Sequence, residues 1–147
     1  MKPFPHSYTV TGTANSEGHV ALDSQKLPRL VTAPPTEYGG PGDRWSPETL
    51  LVAAVADCFV LTFRAIAAVA KLSWISLHCE VTGTLDRVEH VTQFTGFIVR
   101  ARLEVSPETN KEQALRMLTK AEQTCLVTNS LKAKCQLEAS VDFAVAA

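Results

Sequence analysis

Two cysteines stand out by their setting: Cys58 inside the apolar run SPETLLVAAVADCFVLTF, and Cys125 near the end of a second helix-like stretch, AEQTCLVTNSLKAKC. A thiol can act as nucleophile, metal ligand or redox centre, and two thiols can share a disulfide. The chain has four cysteines but no CxxC, and His6, His19, His78 and His90 stand apart from one another and from every cysteine. That spacing argues against zinc and leaves thiol redox chemistry as the leading reading. Cys79 and Cys135 fall on the apolar faces of alternating stretches, where a thiol serves as a small hydrophobe. Cys58 and Cys125 could be packed in the same way, because Ala- and Leu-rich helices accept cysteine, so their surroundings must decide.

The chain of 147 residues is expected to form one domain over residues 1–147 and is long enough to bury a core without a disulfide scaffold. Its net charge of -1 and dispersed Lys and Arg give no basic stripe, so no nucleic-acid partner is expected. The start, MKPFPHSYTV, has no continuous apolar segment or small-residue cleavage site and does not read as a signal peptide. Asp57, Arg64 and Lys71 interrupt the most apolar stretch, which argues against a membrane span. A cytoplasmic protein is therefore expected. A lasting disulfide there would be catalytic or sensing rather than structural.

The elements that must position the thiols follow from periodicity. Residues 6–14 and 18–23 read as a hairpin around Asn15 to Gly18, with 27–32 as a third strand. Ala33 to Pro47, with Pro34, Pro35, Gly39, Gly40, Pro41 and Gly42, must be a loop. Ser46 as cap, Pro47 at the first helical position and Glu48 in the first turn open a helix expected to run to about Leu72. Leu77, Cys79, Val81, Gly83 and Leu85 then alternate with polar residues, as do Phe97, Val99, Ala101, Leu103 and Val105, which predicts an antiparallel hairpin turning within Arg87 to Thr92. Thr109 and Glu112 match a capping box before a helix with Ala114, Leu118, Ala121 and Cys125 on one side. A last strand alternates from Cys135 through Val145. The order β-β-β-α-β-β-α-β predicts an α+β fold with two main helices laid on antiparallel sheets.

The glycine loop, SPETLLVAAVADCF (Ser46 to Phe59) and AEQTCLVTNSLKA (Ala121 to Ala133) together resemble the OsmC/Ohr family of thiol peroxidases, which reduce organic hydroperoxides. Its pattern is a Pro-Glu pair opening a long helix, a Cys-Phe pair ten residues after that Glu, and a second Cys at the end of a later helix before a Ser/Thr-Asn element. Glu48, Cys58, Phe59, Cys125, Thr128 and Asn129 fall at those places. The resemblance implies an OsmC-like intertwined homodimer, with Cys58 as the attacking thiolate and Cys125 as its resolving partner. It implies no bound cofactor; an external dithiol, of which lipoylated proteins are one kind, would reduce the Cys58-Cys125 disulfide.

In the family an Arg ionises the thiol and is held by the Glu of the Pro-Glu pair, here Glu48. Asn15 to Gly18 contains no Arg, so Arg29 and Arg44 are the candidates. Glu48 and Cys58, ten residues apart, would lie about 15 Å along one helix and roughly 80° around it. Serving one site together requires two chains, which agrees with the dimer the resemblance implies. Two positions depart from the family pattern: Asp57 stands before Cys58 in place of a small residue, and Leu126 follows Cys125 in place of Pro.

Phe59, Trp45, Tyr38, Leu61 and Val127 lie close to the motif residues and could line an apolar funnel for the alkyl part of a hydroperoxide. The alternative is a non-catalytic dimer of the same fold, acting as a redox sensor or small-ligand-binding protein. Turnover with a dithiol separates the two.

Overall fold

The computed structural model describes residues 1–145, which divide into two compact units, the first ending at Leu51 and the second beginning at Val52. The first unit holds strands β1 (Thr11–Thr13), β2 (Val20–Asp23) and β3 (Leu30–Thr32), an antiparallel sheet in that order. The first hairpin is shorter than expected: residues 6–10 lie outside the strands, and β3 begins only at Leu30. A turn closed by the Leu27 N–H on the Ser24 carbonyl (3.1 Å), with Lys26 at a φ of 65°, occupies the start of the expected strand. Pro28, which has no N–H to give a ladder, keeps the strand from starting there. The following loop is tight around Gly40, where a Cβ would sit on the Pro34 carbonyl.

Helix α1 (Pro47–Val69) opens as its sequence requires. The Ser46 hydroxyl accepts the Thr49 N–H (3.1 Å), and Thr49 Oγ1 accepts the Ser46 N–H (2.8 Å). This is a capping box with Thr in the usual Glu position. The helix ends at Val69 rather than near Leu72. Lys71 adopts a φ of 54°, its N–H bonds the Ala68 carbonyl and the Leu72 N–H bonds the Ala67 carbonyl. Those two bonds make a Schellman motif with Lys in the place glycine usually takes, a stop that the apolar pattern did not reveal.

The second unit carries strands β4 (Ser76–Val88), β5 (Val91–Val105) and β6 (Lys134–Phe143), with helices α2 (Lys111–Thr124) and α3 (Leu126–Asn129) between β5 and β6. β4 and β5 form the expected antiparallel hairpin, paired from Ser76↔Glu104 to Val88↔Val91 with a register shift between Thr84 and Leu85. Its two-residue turn is Glu89-His90, with φ of 49° and 69°; two successive positive values are the geometry that matches the strand twist. β6 runs parallel to β5, from Gly96↔Lys134 to Val105↔Phe143, so this sheet is mixed rather than wholly antiparallel. A parallel neighbour needs a crossover, and α2 with α3 supplies it. β6 ends at Phe143, so Val145 lies beyond the strand. The cap of α2 is Asn110, whose side chain accepts the Gln113 N–H (3.0 Å); Thr109 bonds the Ser73 carbonyl instead of forming the expected box.

The core of this unit is built from one face of each element. Val55, Phe59, Phe63 and Ala67 recur every fourth residue on α1, Phe97 through Val105 alternate on β5, and Ala114, Leu118 and Ala121 line α2. Gly83 lets α1 approach the sheet: a Cβ there would lie 2.9 Å from side-chain atoms of both Val52 and Phe97. This packing fixes the height of α1, and with it the position of Cys58.

Candidate active site

Cys58 lies on α1 beside the buried face, one residue before Phe59 and one turn before Thr62. The i, i+4 spacing stacks the two side chains, with 3.8 Å between Cys58 Sγ and Thr62 Oγ1. Cys125 sits where α2 ends and α3 begins, and is 1% exposed. Its carbonyl accepts the Asn129 N–H (3.0 Å) and the Thr128 hydroxyl (3.2 Å), so the Thr-Asn element holds the peptide that carries the thiol. Both thiols are free, and each is among the groups that shift the acidity of the other. Residues 67 positions apart in sequence thus meet at one point.

The two thiols differ in acidity. Burial pushes the Cys58 thiol up, but hydrogen bonds from the Cys125 thiol, the Val127 N–H, the Thr62 hydroxyl and the Leu126 N–H together outweigh it, and Cys58 ends below the ordinary value. Burial also pushes Cys125 up; donors on Thr128 oppose this, while its bond to Cys58 and the neighbouring charge add to it, and Cys125 ends above the ordinary value. Cys58 is therefore the more acidic thiol of the pair and Cys125 the less acidic. Nucleophile and resolving thiol require that asymmetry.

Cys79 and Cys135 face the helices from β4 and β6 and are half-buried. Burial pushes each up to about 11, with neighbouring Cys135 and Cys125 adding to the effect at Cys79, and Glu122 and Cys125 at Cys135. Both remain neutral thiols at physiological pH.

The remaining candidates occupy varied settings. Phe59 is wholly within the core, Leu61 faces solvent and Val127 is half-buried beside the thiol pair. In the first unit Tyr38 and Trp45 are exposed, and the Trp45 carbonyl accepts the Ala33 N–H (3.0 Å). Arg29 is engaged by Asp23 through Nε (2.8 Å) and Nη2 (2.9 Å), across the turn that joins β2 to β3. Arg44 is exposed and makes no ion pair among the described residues. Glu48 stands in the first turn of α1, and its Oε2 is buried with no hydrogen-bond partner among the described residues. A carboxylate oxygen in that state has an unmet demand for a donor. Thr62 was not among the sequence candidates; its spacing of four from Cys58 on a predicted helix was the available signal.

The fold and the thiol pair together define the class. The chain belongs to the OsmC-like protein family, whose pattern matches residues 40–140. It is 30% identical over 125 residues to the organic hydroperoxide resistance protein of Xanthomonas axonopodis pv. citri, covering 83% of this chain and 84% of that one. It is 27% identical over 135 residues to the uncharacterized protein YmaD of Bacillus subtilis, covering 88% of each. Among solved structures, an OsmC-like protein of unknown function from Vibrio cholerae superposes with a TM-score of 0.84 at 18% identity, over 92% of this chain and 100% of that one. An organic hydroperoxide resistance protein from Legionella pneumophila superposes with a TM-score of 0.74 at 25% identity, over 95% and 99%. The OsmC-like α+β fold expected from the sequence is thereby established.

Proposed function

We propose that this protein is a thiol-dependent peroxidase that reduces organic hydroperoxides through a Cys58-Cys125 disulfide cycle. The observation that carries the reading is the contact between two free thiols of opposite acidity shift. The Cys58 thiolate attacks the outer oxygen of the hydroperoxide; the O–O bond breaks, and the alkoxide leaves and takes a proton to become the alcohol. Cys58 is then a sulfenic acid, and Cys125 attacks its sulfur, expelling water and forming the disulfide. An external dithiol, such as a lipoyl group, returns both thiols by exchange. The relatives named for organic hydroperoxide resistance support this substrate class.

In this reading the working unit is a cytoplasmic homodimer. Helix α1 supports the dimer: its most apolar 18 residues have a mean hydropathy of 2.0, yet only Val55, Phe59, Phe63 and Ala67 of its 23 residues are buried. By length and composition alone such a helix could cross a membrane, but Asp57 and Arg64 stand within it and its inward face belongs to a protein core. A second α1 is the partner that this apolar surface suits. Glu48 of the partner subunit then serves Cys58, with Arg44 or Arg29 as the cation that satisfies Glu48 Oε2. Tyr38, Trp45, Leu61 and Val127 provide exposed or half-buried apolar surface for an alkyl chain.

The test is mass spectrometry of the reduced protein mixed with cumene hydroperoxide, followed by steady-state peroxide consumption with dihydrolipoamide. Rapid loss of two hydrogens from the mass, with turnover, establishes the peroxidase. A disulfide that forms slowly and never turns over assigns the protein to redox sensing or ligand binding instead.

A further inference from the structure

A threonine inside a helix usually spends its hydroxyl on a main-chain carbonyl one turn back. Thr49, Thr119, Thr124 and Thr128 follow this habit, donating to the carbonyls of Ser46 (3.1 Å), Leu115 (3.1 Å), Lys120 (2.8 Å) and Cys125 (3.2 Å). Thr62 is the exception: its Oγ1 lies 3.8 Å from Cys58 Sγ and makes no bond to a carbonyl among the described residues. Side chains on a helix lean toward its N-terminus, so the residue at i+4 covers the turn that carries residue i. The hydroxyl of Thr62 is therefore set over the thiol of Cys58.

Packing holds it there. Phe59 and Phe63, which follow Cys58 and Thr62 directly, are 1% and 0% exposed, and Phe63 meets the Trp74 ring edge-on with centroids 5.4 Å apart. These anchors fix the rotation of α1 and place Ala54, Cys58, Thr62 and Ile66 in one half-buried row beside the core. Thr62 is the one hydroxyl in that row. Valine would fill the same space, so packing alone does not account for a polar side chain at this position.

We propose that Thr62 is a positioning residue for Cys58: its hydroxyl donates a hydrogen bond to the sulfur and holds the thiolate in place for attack on the peroxide. When Cys58 is a thiol either atom can donate, but a thiolate can only accept, so the contact strengthens as the sulfur ionises. A hydrogen bond to the charged form favours that form. Burial pushes the Cys58 thiol up, and the Thr62 hydroxyl is among the groups that bring it back down. Among the described residues Cys125 is the titratable group that bears on Cys58 from another element; on α1 itself Asp57 and Arg64 are exposed. The proposal rests on the peroxidase reading for its biological meaning, but the ionisation of Cys58 can be measured without peroxide.

Thr62→Val, which keeps the shape and removes the hydroxyl, is the direct test, with Thr62→Ser as the variant that keeps the hydroxyl. The readout is the pH profile of iodoacetamide alkylation at Cys58 in the reduced protein, resolved by peptide mass. In Thr62→Val the midpoint moves up and the rate at neutral pH falls about twofold to tenfold, the scale of one hydrogen bond. Thr62→Ser stays with the wild type. A Thr62→Val profile that matches the wild type overturns the proposal. So does a Thr62→Ser profile that moves as far as that of Thr62→Val, because the hydroxyl would then carry no part of the effect. If Thr62→Val does not fold, Thr62→Ala removes the same hydroxyl and is judged by the same profile. A protein with the expected alkylation profiles that never consumes peroxide would overturn the peroxidase reading alone.

Discussion

Cys58 and Cys125, 67 positions apart, shift each other's acidity in opposite directions: Cys125 brings the Cys58 thiol down, and Cys58 pushes that of Cys125 up. Replacing Cys125 therefore has two separable effects. Cys125→Ala removes the group that brings Cys58 down, and alkylation of Cys58 at neutral pH slows about threefold to tenfold. Cys125→Ser removes the resolving thiol. After cumene hydroperoxide its mass rises by one oxygen at Cys58, then by a second as peroxide is added in excess, where the wild type loses two hydrogens. A Cys125→Ser protein that still forms an intramolecular disulfide would transfer the resolving role to Cys79 or Cys135.

The buried oxygen of Glu48 marks a second point of control. Its Oε2 has no donor among the described residues, which a cation from Arg44 or Arg29 would supply in the working dimer. Glu48→Gln should slow oxidation of Cys58 by organic hydroperoxide about tenfold to a hundredfold, as loss of an orienting carboxylate does elsewhere. The α1 cap, made by Ser46 and Thr49, stays intact, so thermal unfolding should shift little. Comparing Arg44→Ala with Arg29→Ala by the same rate identifies the cation. If neither variant slows the reaction, neither arginine takes part.

How far these features could be read from the chain depended on whether their cause was local. Ser46, Pro47 and Glu48 announce the start of α1 because capping is settled within four residues. The Glu89-His90 turn was located only within Arg87 to Thr92, since neither residue is the Gly or Asn that usually signals two positive φ values. Asn110 displaced Thr109 as the cap of α2 because the Thr109 hydroxyl is drawn to the Ser73 carbonyl, 36 positions away. The parallel pairing of β6 is also a long-range matter: its alternation shows that it is a strand and says nothing of its direction. The meeting of Cys58 and Cys125 was implied by family resemblance, whereas the stacking of Thr62 on Cys58 follows from their spacing of four on α1.

Helix α1 carries the dimer prediction. Leu61 is 49% exposed in the single chain, on a helix whose most apolar 18 residues have a mean hydropathy of 2.0. Light scattering should give about twice the chain mass of 15.9 kDa for the wild type. Leu61→Glu, which would bury a carboxylate in that interface, should shift the protein toward monomer at micromolar concentration. A wild-type protein that is monomeric would remove the shared site and require Glu48 to act without Cys58.

Alkaline pH should destabilise the fold through Cys79 and Cys135. Burial pushes both up to about 11 from an ordinary value of 9.0, so folding favours their neutral form. Below pH 9.0 both states hold these protons, and the contribution is fully present. Between 9.0 and about 11 the unfolded chain releases protons that the folded chain keeps, so stability falls as pH rises. The melting temperature should drop across that window, and the drop should be smaller in Cys79→Ala/Cys135→Ala. An equal slope in both proteins would assign the alkaline loss to other groups.

Gly83 links the sheet to the placement of Cys58. Its missing Cβ leaves room for Val52 of α1 and Phe97 of β5, whose side-chain atoms would each lie 2.9 Å from a methyl group at that position. Phe97 is 1% exposed, so we expect Gly83→Ala to push Val52 and the helix outward. We expect a loss of about 1–3 kcal/mol in stability by denaturant titration, the usual cost of overpacking a core. Cys58 lies six residues beyond Val52 on the same helix, so the shift should also loosen its contact with Cys125. The disulfide should then form more slowly in Gly83→Ala after peroxide, while initial oxidation of Cys58 changes less. Unchanged stability would mean that α1 can slide over β4 without strain, and that Gly83 does not set the height of the thiol.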